Sequence, residues 1–378
     1  MSKQKVELLS PAGNLEKLKI AIKYGADAVY GGVSHFSLRI RASKEFTFET
    51  FKEGIDYAHE RGKKVYATIN GFPFNSQIEL LKTHIKKMAE LKPDAFIVAA
   101  PGVVRLCREI APEIDIHLST QANVLNYLDA QVFWDMGVKR IVVAREISLK
   151  DVMEIKKHLP DMEIEIFVHG SMCFAYSGRC LISAVQMGRV PNRGSCANDC
   201  RFEYTLYAGN DEHGSLFRLE EEPGVGTYIF NSKDMNLASH IQEILDSGAV
   251  DSLKIEGRTK SPYYAAVTAK AYREAIDDYY AGKFEPEKYQ KELHTTKNRG
   301  FTDAYLIHKP FEKTDSQNHD YALSKGSYEV TGLVTEDEDH FLCKYKVYPN
   351  EDIEIFTPHN TVLDTCENEI GKVFKKED

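Results

Sequence analysis

The sequence predicts an α/β fold of the TIM type, a closed (β/α)8 barrel of parallel strands surrounded by helices. Short apolar runs rich in β-branched residues recur eight times, and amphipathic helical stretches separate them. Glycine or Lys-Pro often lies between a helical stretch and the next apolar run, as in 24–32 and 91–100. Eight such units fit a barrel, which typically needs about 250 residues plus insertions. A doubly wound open sheet is the competing interpretation, and the count of eight favours the barrel.

Each predicted strand is a short run that would be buried on both faces of a parallel sheet. The runs begin near Val6, Ala28, Lys64, Ala95, Asp115, Arg140, Glu163 and Ser252. We therefore assign residues 1–280 to the barrel. An insertion at 171–247 interrupts it between the seventh and eighth strands and contains a predicted hairpin.

The chain after the last barrel helix changes character twice. Residues 281–326 are polar and predicted to be a loop-like connecting segment. Residues 327–378 contain alternating apolar runs, which predict a small β-rich domain.

Composition restricts the class of protein. The formal net charge is −9, which argues against a generic, charge-driven nucleic-acid binder but allows a local basic face for a structured RNA. The sequence has neither a signal-peptide core nor an apolar run long enough for a membrane, so we expect a cytoplasmic protein without membrane contact. In that compartment, seven cysteines indicate metal binding or chemistry more than disulfides.

Four of the seven cysteines fall in one segment that follows the predicted strand at 164–168. They are Cys173, Cys180, Cys196 and Cys200. Structural zinc usually uses two to four residues between paired cysteines, which makes the six-residue gap between the first two unfavourable. An iron–sulfur cluster accepts freer spacing, and the nearby glycines suit backbone N–H groups directed at sulfur. A cluster, a zinc ion and four unrelated thiols remain the three interpretations, with the cluster favoured.

Polar residues stand where the predicted strands end, and this end of a TIM barrel carries the site. We expect five of them to bind substrate: Tyr30, Asn70, Gln121, Arg145 and Arg258. The arginines could hold a carboxylated small molecule, because a guanidinium binds carboxylates bidentately. Internal salt bridges, with Glu146 for example, are the alternative.

Three further residues at strand ends are candidate catalytic groups: His169, Lys254 and Glu256. His169 could donate or accept a proton, although a lone histidine is often only a structural hydrogen-bonding group. The motifs HExxH, GxSxG and the phosphate-binding GxxxxGK[ST] do not occur in the sequence.

Residues 165–183, EIFVHGSMCFAYSGRCLIS, resemble the signature of the U32 peptidase family. The opening ELLSPAGN and the later KNRGFTDAY at 297–305 are similar to other motifs of that family. The resemblance implies a TIM-like barrel with a [4Fe–4S] cluster and a β-rich C-terminal domain. It also implies that Cys173, Cys180, Cys196 and Cys200 are the cluster ligands. Asp303 and Ala304 stand where the family usually has a small residue and glycine.

The peptidase name is historical for several branches of this family. The chain most resembles the branch that hydroxylates the wobble uridine of tRNA to 5-hydroxyuridine, independently of oxygen and dependent on prephenate. The implied partners are tRNA, a small dicarboxylate, and an electron-transfer or sister U32 protein. The alternatives are a collagenase-like U32 peptidase, an iron–sulfur hydroxylase acting on rRNA or a quinone ring, and an assembly or electron-delivery subunit.

Overall fold

Eight parallel strands close into a barrel at the centre of the protein. The computed structural model describes residues 5–33, 36–37, 46–193, 195–210, 214–218, 231–308, 316–318, 326, 328, 332–334, 341–343, 353–358 and 361–364. The strands are β1 (Glu7–Pro11), β2 (Ala28–Gly31), β3 (Lys64–Ile69), β4 (Ala95–Val98), β5 (Asp115–Leu118), β6 (Arg140–Val142), β7 (Glu163–Ser171), β8 (Tyr207–Asn210), β9 (Ser215–Arg218), β10 (Asp234–Asn236), β11 (Ser252–Ile255), β12 (Phe301–Thr302), β13 (Gly332–Val334), β14 (Phe341–Cys343), β15 (Ile353–Phe356) and β16 (Thr361–Asp364).

Helices cover the outside of the barrel. They are α1 (Leu15–Lys23), α2 (Phe48–His59), α3 (Ile78–Glu90), α4 (Pro101–Ile110), α5 (Tyr127–Asp135), α6 (Leu149–His158), α7 (Ile182–Met187), α8 (Ile241–Asp246), α9 (Pro262–Tyr280) and α10 (Pro286–Leu293). None of these helices is long and apolar enough to cross a membrane.

The barrel consists of β1 to β7 in sequence order, closed by β11, which pairs in parallel with both β1 and β7. The predicted TIM-like barrel is therefore confirmed. Seven of its strands begin at the predicted residue, and the first begins at Glu7, one residue after the predicted Val6. The carboxyl ends of all eight strands consequently meet at one rim.

Helix ends follow the local sequence. The Asn14 side chain caps α1 by accepting a hydrogen bond from the backbone N–H of Lys17 at 3.0 Å. Ser261 caps α9 in the same way, and Pro262 occupies the first turn, where its missing N–H has no cost. These caps fix where the chain turns from the site rim back down the outside of the barrel.

The insertion extends the sheet beyond the barrel. The far end of β7 pairs antiparallel with β10, which pairs in parallel with β12. The predicted hairpin is confirmed as the antiparallel pair β8 and β9. The predicted loop-like segment 281–326 instead contains α10, because Tyr289 and Leu293 bury one face of it in the core.

The described C-terminal residues form two antiparallel strand pairs, β13 with β14 and β15 with β16. They agree with the predicted strands, whereas the boundary of a separate domain at 327–378 stays a prediction. The Phe356 ring stacks on Tyr24 of α1 with centroids 5.3 Å apart. The Tyr24 hydroxyl also donates a hydrogen bond to the Phe356 carbonyl at 2.8 Å. This strand pair therefore packs against the barrel's helical layer.

Candidate functional site

A cavity of about 400 Å³ lies at the rim where the barrel strands end. Its lining contains all four clustered cysteines and seven of the eight other predicted site residues. Those seven are Tyr30, Asn70, Gln121, Arg145, Lys254, Glu256 and Arg258. Most residues that the sequence predicts to form the site therefore lie around one cavity. Among the described lining residues, His169 does not occur.

Lys254 is buried near the centre of the barrel mouth. Its Nζ donates a hydrogen bond to Oε1 of Glu165 at 2.7 Å and lies 4.4 Å from the centroid of the Tyr30 ring. Burial lowers the pKa of Lys254, and the carboxylate of Glu165 opposes that shift. Burial alone would raise the pKa of Glu165, but Lys254 and Arg140 together lower it. The two side chains therefore stabilise each other's charged form.

Arg140 extends the network of buried charges from Lys254 and Glu165 further into the barrel. Its guanidinium donates to Oε2 of Glu165 at 3.1 Å and to Glu163 at 2.7 Å, and it also pairs with Glu7. The Arg140 side chain is 5% exposed and that of Glu165 is fully buried. Charged groups thus replace part of the apolar filling usual in a TIM barrel. Sequence reasoning missed this network, although the alternation in EIEIF places Glu163 and Glu165 on one face of β7.

Arg258 is held by hydroxyl groups from two other elements. Its Nη1 donates hydrogen bonds to Ser37 Oγ at 2.6 Å and Thr68 Oγ1 at 3.2 Å. Its backbone packs on Gly13, where a Cβ would lie only 2.0 Å from the Arg258 carbonyl oxygen. The N-terminal SPAG sequence therefore brings the β1 loop against Arg258 and leaves no room for a larger residue.

Arg145 follows β6 and also lines the cavity. Its guanidinium carbon stands 4.2 Å from the centroid of the Phe167 ring, a cation–π arrangement. Glu146 is a predicted salt-bridge partner for such a cation. Its carboxylate instead accepts a hydrogen bond from the backbone N–H of Ser177 at 2.7 Å.

Glu256 is positioned by close backbone packing between β7 and the loop after β11. Its N–H donates to the carbonyl of His169 at 2.8 Å. Gly170 has a φ of 112°, and a Cβ there would lie 2.4 Å from the Glu256 carbonyl oxygen. Only glycine fits that approach and that conformation. The His-Gly sequence of the signature thus fixes the backbone of Glu256.

The His169 ring faces away from the cavity, into aromatic packing. Its Nδ1 lies 3.4 Å from the Tyr272 hydroxyl, and its centroid lies 5.5 Å from that of Phe301. Burial is the main cause that lowers the pKa of His169 to about 3, so the ring is neutral near pH 7. The described contacts give His169 a packing function, and its predicted proton-transfer role stays a prediction.

The four cysteines line one wall of the cavity. Backbone N–H groups of Ile182 and Asn198 donate to Cys180 Sγ and Cys196 Sγ, each at 3.4 Å. Burial raises the pKa of the Cys180 thiol and raises that of Cys200 to about 11, the latter opposed by Arg201. Thiolates here consequently need a cationic partner to form at neutral pH.

Within the described residues, no three Cys, His, Asp or Glu side chains converge closely enough to hold a single metal ion. A structural zinc site holds its ligands on one ion. A [4Fe–4S] cluster binds each thiolate through a different iron and therefore tolerates a wider arrangement. Four thiols, two N–H···S contacts and a nearby guanidinium are a donor set that fits such a cluster.

The segment that carries the cysteines is tied to the barrel rim. The carboxylate of Glu146 accepts both the backbone N–H and the hydroxyl of Ser177, which has a left-handed φ of 41°. Nε of Arg179 donates to the Gln121 carbonyl at 3.0 Å. These contacts hold the first two cysteines against the ends of β5 and β6.

Asp199 is a site residue that sequence reasoning missed. It is 1% exposed and lines the cavity between Cys196 and Cys200. Neither of its carboxylate oxygens accepts a hydrogen bond from the described residues. The only signal in the sequence was its position directly before Cys200.

The fold and the site define a TIM-barrel protein with a thiol-lined and cation-lined cavity. The sequence model of peptidase family U32 matches residues 13–316, and the chain belongs to this family. A relative from Helicobacter pylori (strain ATCC 700392 / 26695), named tRNA hydroxylation protein P, is 67% identical over 369 residues. The match covers 98% of this chain and 87% of that protein.

Two more distant relatives come from Escherichia coli (strain K12). One, also named tRNA hydroxylation protein P, is 39% identical over 406 residues, covering 96% of this chain and 89% of that protein. The other, named 23S rRNA 5-hydroxycytidine C2501 synthase, is 35% identical over 277 residues. That match covers 73% of this chain and 40% of that protein.

Proposed function

We propose that this protein is an RNA-modifying enzyme that hydroxylates the wobble uridine of tRNA to 5-hydroxyuridine without molecular oxygen. The observation that carries the proposal is that one cavity is lined both by four thiols and by four cationic side chains. Two relatives with matches across nearly the whole chain are named tRNA hydroxylation proteins, which supports the reaction class and the substrate class.

In this proposal, Cys173, Cys180, Cys196 and Cys200 hold a [4Fe–4S] cluster. When bound, such a cluster supplies one-electron transfer. The N–H groups of Ile182 and Asn198 would orient two of the thiolates. Arg201 offsets negative charge at Cys200, which favours the deprotonated thiol that a metal requires.

The cations around the cavity suit a small dicarboxylate, and we propose prephenate as the co-substrate. Arg145 and Arg258 are planar donors that can bind one carboxylate each, and Lys254 adds a third positive group. A volume of about 400 Å³ is in the range of small-molecule sites. The aromatic contact of Arg145 and the hydroxyl contacts of Arg258 preorganise both guanidinium groups.

The uracil ring would be held by polar groups from three strand ends, Tyr30, Asn70 and Gln121. Replacing the hydrogen on C5 by a hydroxyl group from water releases two protons and two electrons, one proton from C5 and one from the water, and in this proposal an electron-transfer partner protein takes the electrons. Glu256 lines the cavity and is the carboxylate that we assign to accept the proton from C5. Lys254, held by Glu165, is the group that we assign to donate a proton to a developing negative oxygen.

Two other functions receive less support from the same cavity. Its described lining contains no histidine, so a cysteine or serine there has no imidazole base of the kind that nucleophilic peptidases use. An electron-delivery subunit would not need a cavity of substrate size with four cationic side chains. Action on rRNA or a quinone ring is distinguished from action on tRNA by experiment.

The proposal is tested by mass spectrometry of tRNA nucleosides from a deletion strain grown without oxygen. Anaerobic growth prevents an oxygen-dependent route from masking the loss. We expect 5-hydroxyuridine and its derivatives to vanish, and to return when the intact gene is supplied. Unchanged tRNA nucleosides, with altered rRNA or quinone, would overturn the tRNA assignment.

The cluster is tested separately on anaerobically purified protein by iron and sulfide analysis. Cys173→Ala and Cys180→Ala should each lose most of the bound iron and the brown colour. Cys107→Ala is the matched control, because Cys107 is fully buried on α4 and does not line the cavity. A fully coloured Cys173 variant would refute the ligand assignment.

A further inference from the structure

We propose that the exposed surface around the cysteine wall is a docking surface for a single-stranded loop of RNA. We call this surface the rim, and it comprises the exposed residues Phe174, Tyr176, Val185 and Phe202 together with the half-buried Arg189. The inference rests on the proposed function, because the cavity beside the rim is where the target base would lie. It adds the part of the protein that binds the nucleotides next to that base.

Apolar exposure is concentrated in this part of the chain. Of the eighteen large apolar side chains that are exposed among the described residues, ten lie between Phe174 and Leu216. Tyr176 is 46% exposed, Phe202 is 47% exposed and Val185 is 82% exposed. Solvent-exposed apolar clusters of this kind mark interaction sites in soluble proteins.

The chain segment that carries most of the rim is poor in acidic residues. Residues 166–198 contain no Asp or Glu, although the chain has 57 such residues and a net charge of −9. The same stretch contributes arginines 179, 189 and 193. The next acid, Asp199, is buried, whereas Glu203 beside Phe202 is exposed. Partial burial raises the pKa of the Tyr176 hydroxyl, and Glu146 and Asp129 lie close enough to raise it further. The arginines are therefore the groups of this surface that would bind the phosphates of a nucleic acid.

The rim is held together as one body. The Ser183 hydroxyl of α7 accepts the backbone N–H of Ala197 at 3.1 Å, which joins the helix to the second cysteine pair. The Tyr204 hydroxyl donates to the Asp199 carbonyl at 2.9 Å and accepts from Gln186 at 3.0 Å. The surface is thus presented at a fixed place beside the cavity, whose lining includes Phe174 and Arg189.

Aromatic rings interleaved with arginines indicate unpaired nucleotides as the occupant. Unstacked bases pack on aromatic side chains, while guanidinium groups bind the phosphates that connect them. Tyr176 lies between Cys173 and Cys180 in the chain, and Phe202 follows Cys200 by two residues, so both rings flank the cysteines that line the cavity. A duplex would present mainly phosphates and would leave these exposed rings without a partner.

The test is fluorescence anisotropy with a labelled anticodon stem–loop RNA and the full chain, purified without oxygen and loaded with iron. Tyr176→Ala and Phe202→Ala should each weaken binding about tenfold, since stacking on one base contributes about that factor. Arg189→Ala should reduce the salt dependence by about one phosphate contact. Leu128→Ala on α5 and Arg105→Ala on α4 are controls with exposed side chains elsewhere, and they should bind as the unaltered protein does.

The outcomes separate this inference from the proposed function. Weaker RNA binding by the rim variants only, with iron content unchanged, supports the rim. If the rim variants bind RNA as tightly as the controls, the rim is overturned while the nucleoside assay still decides the reaction. If Val185→Lys instead breaks a dimer measured by light scattering and leaves RNA affinity unchanged, the surface binds a protein and the inference is also overturned.

Discussion

Nζ of Lys254 and Oε1 of Glu165 lie 2.7 Å apart inside the barrel, in a pair where neither side chain is more than 5% exposed. Oε2 of the same carboxylate accepts from Arg140, so one buried anion serves two buried cations. The pair links the charged layer of the barrel interior to the cavity. The Lys254–Glu165 pair therefore both stabilises the fold and positions Lys254, the candidate proton donor.

Glu165→Gln should lower the free energy of unfolding by about 3–5 kcal/mol, because it leaves two buried cations without their shared counter-charge. Chemical denaturation followed by circular dichroism measures this loss. Glu79→Gln is the control, because Glu79 pairs with Lys82 on the surface of α3 at the same 2.7 Å distance. That surface change should cost below about 1 kcal/mol. Equal losses in the two variants would contradict the buried network.

Gly170→Ala should destabilise the protein and displace Glu256. The added Cβ would lie 2.4 Å from a backbone oxygen, and alanine is strained at a φ of 112°. Gly188→Ala is the matched control, since Gly188 also has a positive φ, 63°, but nothing lies within 4 Å of its added Cβ. We expect the control to cost roughly 1–2 kcal/mol and Gly170→Ala clearly more. Thermal unfolding of both variants makes the comparison, and equal shifts would show that the close approach is unimportant.

The buried His169 should make stability depend on pH. The pKa of His169 is about 3 in the folded protein, whereas a histidine in the unfolded chain has a pKa of about 6.5. As the pH falls through about 6.5, the unfolded chain therefore binds a proton at this histidine and the folded chain does not. The contribution of the neutral His169 ring to the free energy of unfolding is therefore complete above the unfolded pKa and is lost as the pH falls below it. Between about pH 7 and pH 5 the loss amounts to roughly 2 kcal/mol.

His169→Gln removes this titrating group. Urea unfolding at the two pH values should show that the variant loses about 2 kcal/mol less than the unaltered protein. The difference between the two losses isolates His169 from other titrating groups. An identical pH dependence in both proteins would mean that the pKa of His169 is the same in the folded and the unfolded chain.

Ala304 occupies a left-handed conformation that favours glycine, with a φ of 54°. Ala304→Gly relieves roughly 1–2 kcal/mol of strain, which offsets the lost methyl contacts and the extra flexibility of the unfolded chain. We expect a near-neutral change in melting temperature. Ala275→Gly is the control, since Ala275 is equally buried but helical, and it should be destabilising. A loss at Ala304 as large as at Ala275 would refute the strain.

The barrel could be predicted because its signals are local and repeated. Each strand is an apolar run next to a helical stretch, and such patterns depend only on neighbouring residues. Their polar ends then converge because parallel strands end at one rim, which brought Tyr30 and Arg258 into one cavity. The predicted site residues thus followed from the fold itself.

The remaining features depend on contacts between distant segments. α10 lies in polar sequence, where Pro286 at its start and the i, i+4 pair Tyr289 and Leu293 are weak local signals, and burial of that pair in the core stabilises it. His169 was placed at a strand end, but β7 continues to Ser171 and pairs with β10 there, so its ring turns into the core. The charged interior was missed because Glu165 is buried only when Arg140 and Lys254 arrive from other strands.

The closure of β1 on β11 has a consequence for synthesis of the chain. The Ser252 hydroxyl donates a hydrogen bond to Glu7 across a separation of 245 positions. Nearly two-thirds of the polypeptide must therefore be synthesised before β11, the second strand that pairs with β1, is available. During translation, the edge of β1 is consequently an unpaired template for foreign strands. The nascent chain most needs chaperone protection between the synthesis of β1 and that of β11. Slower translation after residue 255 would not shorten that interval.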